Sequence, residues 1–382
     1  MGWSFRIAQV SGINIRIHIT FFLILLVGAL QWGGTGNPQG ALFGILLMLL
    51  LFLCVTLHEL GHSLVAQRFG IPVREIILLP LGGVALLTRT PEKPRDEFLI
   101  AIAGPLVNVV IFLVLLLLGP VAGVGLLDER LTFQGLQTPS AETLRLWLLG
   151  ANLMLVLFNL IPAFPLDGGR MLRALLAMRL GYPRATRLAS TIGQGFAVLF
   201  GFIGVFTNNW SLLLIAVFVF FGAGQENADA TAKHVLRTLR VGDAYNKHAL
   251  TLAIGDRVSR VVDYILTSYQ PDFAVMQGSK PIGIVTRANV LQALQAGMED
   301  GYITGIMERE FVKVDASATL DDVRRTLAEQ GGRVAAVYDG QTYLGLVSLE
   351  DISEAFLVAS FLQRGGPGPT PSETDQTGKV VV

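Results

Sequence analysis

The sequence predicts a polytopic α-helical membrane protein of about six transmembrane helices with a small membrane-associated β-hairpin or sheet, followed by a cytoplasmic α/β module. Three observations carry this prediction. The 382 residues are 52% hydrophobic and only 15% charged. The mean hydropathy, +0.56, is too high for a water-soluble domain. Apolar residues gather into long runs over roughly the first 225 positions, after which charged residues return. Basic and acidic residues balance at 29 each, which gives no electrostatic ground for a nucleic-acid partner. A single cysteine, Cys54, excludes an internal disulfide.

The runs that can cross a bilayer lie at 19–30, extended at its start by the amphipathic region around His18, and at 41–67, 98–118, 144–161, 191–206 and 210–222. The last two are short and are joined by the polar turn Thr207-Asn208-Asn209. No small-residue cleavage site precedes Gln31, so the first run reads as a span and not as a cleaved signal. Arg6 and Arg16 precede the first run, five basic residues fall between Arg68 and Arg95, and five more between Arg170 and Arg187, while 31–40 and 207–209 carry no charge. Lys and Arg are enriched in cytoplasmic loops. Six spans with both termini cytoplasmic satisfy every loop, in the cell membrane of a bacterium or archaeon.

Inside the second run stand His58, Glu59 and His62. Ionisable groups at membrane depth are costly, about 2.5–3.5 kcal/mol each on insertion scales, and they mark functional sites. On a helix, positions four apart share a face, so two imidazoles can address one metal ion while Glu59 stands beside them as general base for an attacking water. The alternative is a pair of hydrogen-bonded core histidines. Cys54, one turn earlier, reads either as a thiolate ligand or as a small buried residue.

After the fourth run, Asn159-Leu160-Ile161-Pro162-Ala163-Phe164-Pro165-Leu166-Asp167-Gly168-Gly169-Arg170 reads as a broken helix, because two prolines interrupt the hydrogen-bond ladder. Freed carbonyls at that depth are tolerated only where they are buried in protein or line a cavity. Asp167 at the break can turn its carboxylate inward and is expected as the third ligand of one zinc ion per chain, although Asp-Gly-Gly after a helix can also be only a turn. Between the second and third spans, 73–87 reads as two short strands around Gly82-Gly83, a hairpin that either covers the site or offers an edge to an extended peptide.

His58-Glu59-Leu60-Gly61-His62, together with Asn159 through Gly169, resembles the site-2 protease family of intramembrane zinc metalloproteases (M50-type). Pro80-Leu81-Gly82-Gly83-Val84 and Gly104-Pro105-Leu106-Val107-Asn108 resemble further elements of that family, so the likeness covers most of residues 1–225. It implies a site within the membrane near its cytoplasmic side, where a transmembrane segment of a membrane-anchored, regulatory protein is unwound and cut. The ligands it implies are His58, His62 and Asp167, with Glu59 as base. Asn159 is then either a hydrogen-bond donor to the developing oxyanion or a brace for the broken backbone, and Asn108 is open in the same way.

The second half contains a repeat. Gly283-Ile284-Val285-Thr286-Arg287-Ala288-Asn289-Val290 matches Gly345-Leu346-Val347-Ser348-Leu349-Glu350-Asp351-Ile352 at a constant offset that Val261 and Val323 share, which predicts two halves about a pseudo-twofold axis. The repeat resembles a CBS pair, which implies adenine nucleotide (ATP, ADP or AMP) in the clefts. Ser348 and Asp351 fit the hydroxyl and the ribose-binding carboxylate. Thr286 and Asn289 stand at those positions in the first copy, where an amide is the weaker acceptor. Such a pair can equally be a structural module, and a homodimer through it is a further expected partnership.

The expected extents are a transmembrane metalloprotease domain over 1–225, a linker over 226–240, CBS motifs over 241–298 and 299–360, and a disordered tail over 361–382. The competing reading is a CBS-regulated cation transporter or channel that uses the same His/Glu/Asp cluster as an ion site. No further acidic residue lies within the apolar runs, which favours the protease, since a transport path needs carboxylates along its length.

Overall fold

The computed structural model describes residues 3–363 except 35, 81, 88–90, 92, 119–137 and 269. The tail expected to be disordered lies outside the described residues from 364 on. The chain divides into two compact units, Met1–Ala228 and Asp229–Val382.

The first unit begins with strands β1 (Ser4–Val10) and β2 (Ile13–His18), paired antiparallel. Ile13, Ile15 and Ile17 alternate with Asn14, Arg16 and His18, a period of two that turns the isoleucines to one face. Ile13 and Ile15 are buried. The His18 region is therefore a strand and not an extension of the first span. Helix α1 (Phe21–Gly33) follows, then α2 (Pro38–Arg68), whose first turn is capped by the Asn37 side chain accepting from the Gly40 N–H at 3.0 Å. Strands β3 (Val73–Leu79) and β4 (Gly82–Leu87) form the expected hairpin. It joins a four-stranded sheet of order β1-β2-β3-β4, in which β2 and β3 run parallel. One apolar cluster holds this sheet to the helices: Ile13, Ile15, Ile76 and Leu78 pack with Phe21, Phe52, Leu60 and Ile100.

Helices α3 (Pro94–Leu117), α4 (Ala141–Asn159), α5 (Asp167–Leu180), α6 (Tyr182–Phe206) and α7 (Trp210–Thr238) complete the unit. Among the described residues, α2, α3, α4, α6 and α7 are long and apolar enough to cross a membrane, and α1 is shorter. These six account for the six expected runs. The final run and the helix expected around 232–239 are one continuous helix, α7. Outward-facing Phe202, Phe206, Leu214 and Phe221 stay exposed, as a surface bathed in lipid permits.

Helix α5 is tied in by charge. Arg173 donates from Nε to Glu97 of α3 at 2.8 Å, pairs with Glu226 of α7, and lies 4.9 Å over the Phe164 ring. Glu97 is 1% exposed.

The second unit holds α8 (Val241–Ala244), β5 (Thr251–Ala253), α9 (Val258–Ser268), β6 (Asp272–Gln277), β7 (Lys280–Thr286), α10 (Arg287–Gln295), β8 (Val312–Asp315), α11 (Leu320–Gln330), β9 (Val334–Asp339), β10 (Thr342–Ser348) and α12 (Leu349–Gln363). Two three-stranded sheets, β5-β6-β7 and β10-β9-β8, repeat one topology, a short parallel strand beside a hairpin. Val261 and Val323 sit in the separate cores of the two halves. Ala274, Ile284, Val334, Ala336 and Leu346 form a shared cluster between the sheets.

Candidate metal centre

His58 and His62 lie on the buried face of α2, and Asp167 is the first residue of α5. The two prolines end α4 at Asn159 and restart the chain as α5 at Asp167. An anionic side chain in a first helical turn is favoured by the aligned peptide dipoles. Gly168 and Gly169 let that turn close onto the break: a Cβ on either would lie 2.6 Å from backbone carbon of Leu160 or Ala163.

The three side chains converge. Asp167 Oδ2 is 3.2 Å from His58 Nε2 and 3.0 Å from His62 Nε2, and the two Nε2 atoms are 3.1 Å apart. In a tetrahedral zinc site with bonds of about 2.0–2.1 Å, neighbouring ligand atoms lie about 3.3–3.4 Å apart. The triangle of two nitrogens and one oxygen thus fits three of the four ligand positions that a zinc ion would take, after small adjustment. Among the described residues this is the one group of metal-ligating side chains.

The far nitrogens of both rings are occupied. His62 Nδ1 faces the Ile100 carbonyl at 2.7 Å, and a carbonyl only accepts, so Nδ1 carries the proton and Nε2 offers its lone pair. His58 Nδ1 meets Asn108 Oδ1 of α3. Gly104, one turn before Asn108, faces both Nε2 atoms where any side chain would intrude.

Glu59 lies outside the ligand triangle, half-buried on α2, with its Cγ against Gly83 of β4. A general base is a group near the metal that does not itself ligate it, and Glu59 follows His58 directly in the chain without joining the ligand set. Arg170 Nη1 lies 3.9 Å from Asp167 Oδ1. Asn159, the last residue of α4, gives one Nδ2 hydrogen to the Leu155 carbonyl at 3.0 Å and makes no second side-chain hydrogen bond among the described residues. Cys54 is buried and accepts a hydrogen bond from Asn152 of α4. Asn152, fully buried inside an apolar run, is a further neighbour of the site, and a polar residue at that depth is the sequence signal for it.

In the second unit the residues of interest sit at helix N-termini. Thr286 caps α10 and shares a reciprocal capping box with Asn289, whose Nδ2 also donates to Glu308 Oε1 at 3.0 Å. Ser348 N and Oγ both donate to Asp351 Oδ2 at 2.7 Å. Both pairs satisfy one another as caps.

Models of known families match at two places: peptidase family M50 at residues 46–202 and the CBS domain at 303–358. Over 358 residues the chain is 32% identical to a zinc metalloprotease of Methanocaldococcus jannaschii, covering 94% of this chain and 97% of that one. The chain belongs to peptidase family M50, the site-2 proteases. The chain is also 28% identical over 209 residues to stage IV sporulation protein FB of Bacillus subtilis, covering 54% of this chain and 63% of that one. The solved site-2 protease from Methanocaldococcus jannaschii aligns over 59% of this chain and 95% of that chain at 40% identity, with a TM-score of 0.42. As an M50 member the protein is a multi-pass membrane zinc metalloendopeptidase, and its second unit carries a CBS pair. The cation-transport reading is not favoured by this membership.

Proposed function

We propose that this M50 protease cuts the transmembrane segment of a membrane-anchored regulatory protein, with His58, His62 and Asp167 as zinc ligands and Glu59 as general base. The observation that carries this is the convergence of two Nε2 atoms and one carboxylate oxygen at 3.0–3.2 Å, with Glu59 adjacent to His58 in the chain and outside the set. Zinc bound there supplies Lewis acidity, lowering the pKa of a coordinated water and polarising the scissile carbonyl. Glu59 takes the proton of the attacking water and returns it to the leaving amide nitrogen. The spare Nδ2 hydrogen of Asn159 is the donor assigned to the developing oxyanion. The outer edge of β4, next to Glu59 through Gly83, suits an unwound substrate segment pairing as an added strand.

In this reading the protease domain extends over 1–225, the linker over 226–240, and the CBS motifs over 241–298 and 299–360, with both termini and the active-site end cytoplasmic. The pair takes adenine nucleotide through Thr286, Asn289, Ser348 and Asp351. A carboxylate at position 351 and an amide at 289 make the second copy the stronger ribose site. Nucleotide binding changes proteolysis to the extent that it prefers one arrangement of the pair, through which two chains also associate.

The test is cleavage of a panel of single-span substrates by purified, zinc-loaded protein, comparing wild type with Glu59→Gln, with and without ATP. Loss of cleavage in Glu59→Gln with zinc retained supports the assignment. Undiminished cleavage by Glu59→Gln overturns Glu59 as the base, and indifference to ATP removes the nucleotide.

A further inference from the structure

A chain of buried amides runs outward from His58 through three helices. His58 Nδ1 meets Asn108 Oδ1 of α3. Asn108 Nδ2 donates to Asn152 Oδ1 of α4 at 2.7 Å. Asn152 Nδ2 donates to the Leu148 carbonyl at 2.8 Å, and also to Cys54 Sγ of α2 at 3.4 Å. Asn108 and Asn152 are both 0% exposed.

The polarity of this chain is not free. A side-chain amide can be turned over, exchanging donor and acceptor ends, and only its partners decide which way it lies. The outermost partner here is a backbone carbonyl, which accepts and never donates. The Leu148 carbonyl therefore draws the NH₂ end of Asn152, leaving Oδ1 toward Asn108. That oxygen draws the NH₂ end of Asn108, leaving its Oδ1 toward His58. An oxygen facing His58 Nδ1 requires a proton on Nδ1, so the lone pair lies on Nε2, the atom aimed at Asp167 and His62. Turning either amide over would set oxygen against oxygen or NH₂ against NH₂ between fully buried side chains.

We propose that Asn152 is a positioning residue for the metal centre, acting through Asn108 to hold His58 in the Nδ1–H tautomer with Nε2 ready for zinc. This rests on the reading of His58 as a ligand. Without Asn152, Asn108 is free to turn, His58 divides between its two tautomers, and metal binding must re-impose the order. Partners of this kind behind metal-bound histidines typically change affinity by about 10–100-fold. His62 needs no such relay, because its Nδ1 meets a backbone carbonyl directly.

The test is a double-mutant cycle on the full-length protein in detergent, read as zinc affinity by competition with a chromophoric chelator. Thermal unfolding of the metal-free form serves as the folding control. Asn152→Leu, close in volume but unable to hydrogen-bond, is expected to weaken zinc binding about ten-fold when Asn108 is present. In an Asn108→Leu background, where the relay is already cut, it is expected to weaken binding less than about two-fold. Equal losses in both backgrounds, or none in either, overturn the proposal, because a packing role does not depend on Asn108. If Asn152→Leu does not give folded metal-free protein, Asn152→Ala takes its place in the same cycle under the same criteria. Absence of stoichiometric zinc from the wild type would instead overturn the metal site itself, and the relay with it.

Discussion

Gly104→Ala adds one methyl group to α3 at the place where the two imidazoles meet. The new Cβ would stand 2.7 Å from His58 Nε2 and nearer still to His62 Nε2. Ordinary contact begins at 3.4 Å, so His58 Nε2 must retreat by about 0.7 Å or α3 must move away from α2. Zinc–ligand distances hold to within about 0.2 Å, so a retreat of that size removes a ligand from the site. Withdrawal of α3 would in turn open the close packing of Gly61 of α2 against Ala103 and Val107. Zinc affinity is expected to fall by at least 100-fold, the upper end of what loss of a supporting partner alone produces. The assay is zinc content by elemental analysis after dialysis against a weak chelator, with Gly150→Ala as control. Gly150 lies in α4 with nothing within 4 Å of an added Cβ, so its variant should keep wild-type zinc. A Gly104→Ala protein that retains one zinc and full cleavage would refute the placement of the metal against α3.

Three further outcomes follow from the geometry. Gly83→Ala places a methyl 2.5 Å from Glu59 Cγ and should reduce cleavage at least ten-fold while zinc content stays at one per chain. Arg173→Met leaves Glu97, 1% exposed, as an unpaired buried charge. It should cost about 3–5 kcal/mol, seen as a lower unfolding temperature of the membrane unit. Burial pushes the Asp272 carboxyl in β6 up to about 6, against about 3.9 in an unfolded chain. The folded state then binds the proton more tightly, so this contribution to stability is fully present below about pH 4 and is lost as pH rises through 6. The shift corresponds to about 3 kcal/mol, discounted to about 1–2 for the partial exposure of the group. Asp272→Asn should flatten the pH dependence of unfolding of the second unit between pH 4 and 7.

The sequence was legible wherever one residue's chemistry forces a conclusion. Histidines and a glutamate inside an apolar run, prolines bracketing an aspartate, and a repeat at fixed offset led to α2, to the break before α5 and to the two-sheet module. Strands β1 and β2 were less visible, because an isoleucine alternation beside an apolar helix reads as part of that helix until β3 is seen lying parallel to β2. Strands β5 and β8 are too short, at three and four residues, for a period of two to register. The partner of His62 is a backbone carbonyl, which no residue identity announces. Asn152 was visible as a polar residue at depth, but its meaning depends on Asn108, which lies on another helix and far away in the chain. Glu97, Arg173 and Glu226 likewise become a network only when α3, α5 and α7 are brought together.

The central claim is that His58, His62 and Asp167 hold one zinc ion. Zinc K-edge X-ray absorption on the purified full-length protein, compared with Asp167→Ala, tests it most directly. The expected wild-type signal is about four nitrogen or oxygen neighbours near 2.0–2.1 Å, with outer-shell scattering from two imidazoles and no sulfur; Asp167→Ala should lose one light neighbour or the metal. A sulfur neighbour near 2.3 Å would bring Cys54 into the site and contradict the ligand set, as would a wild-type spectrum that Asp167→Ala leaves unchanged.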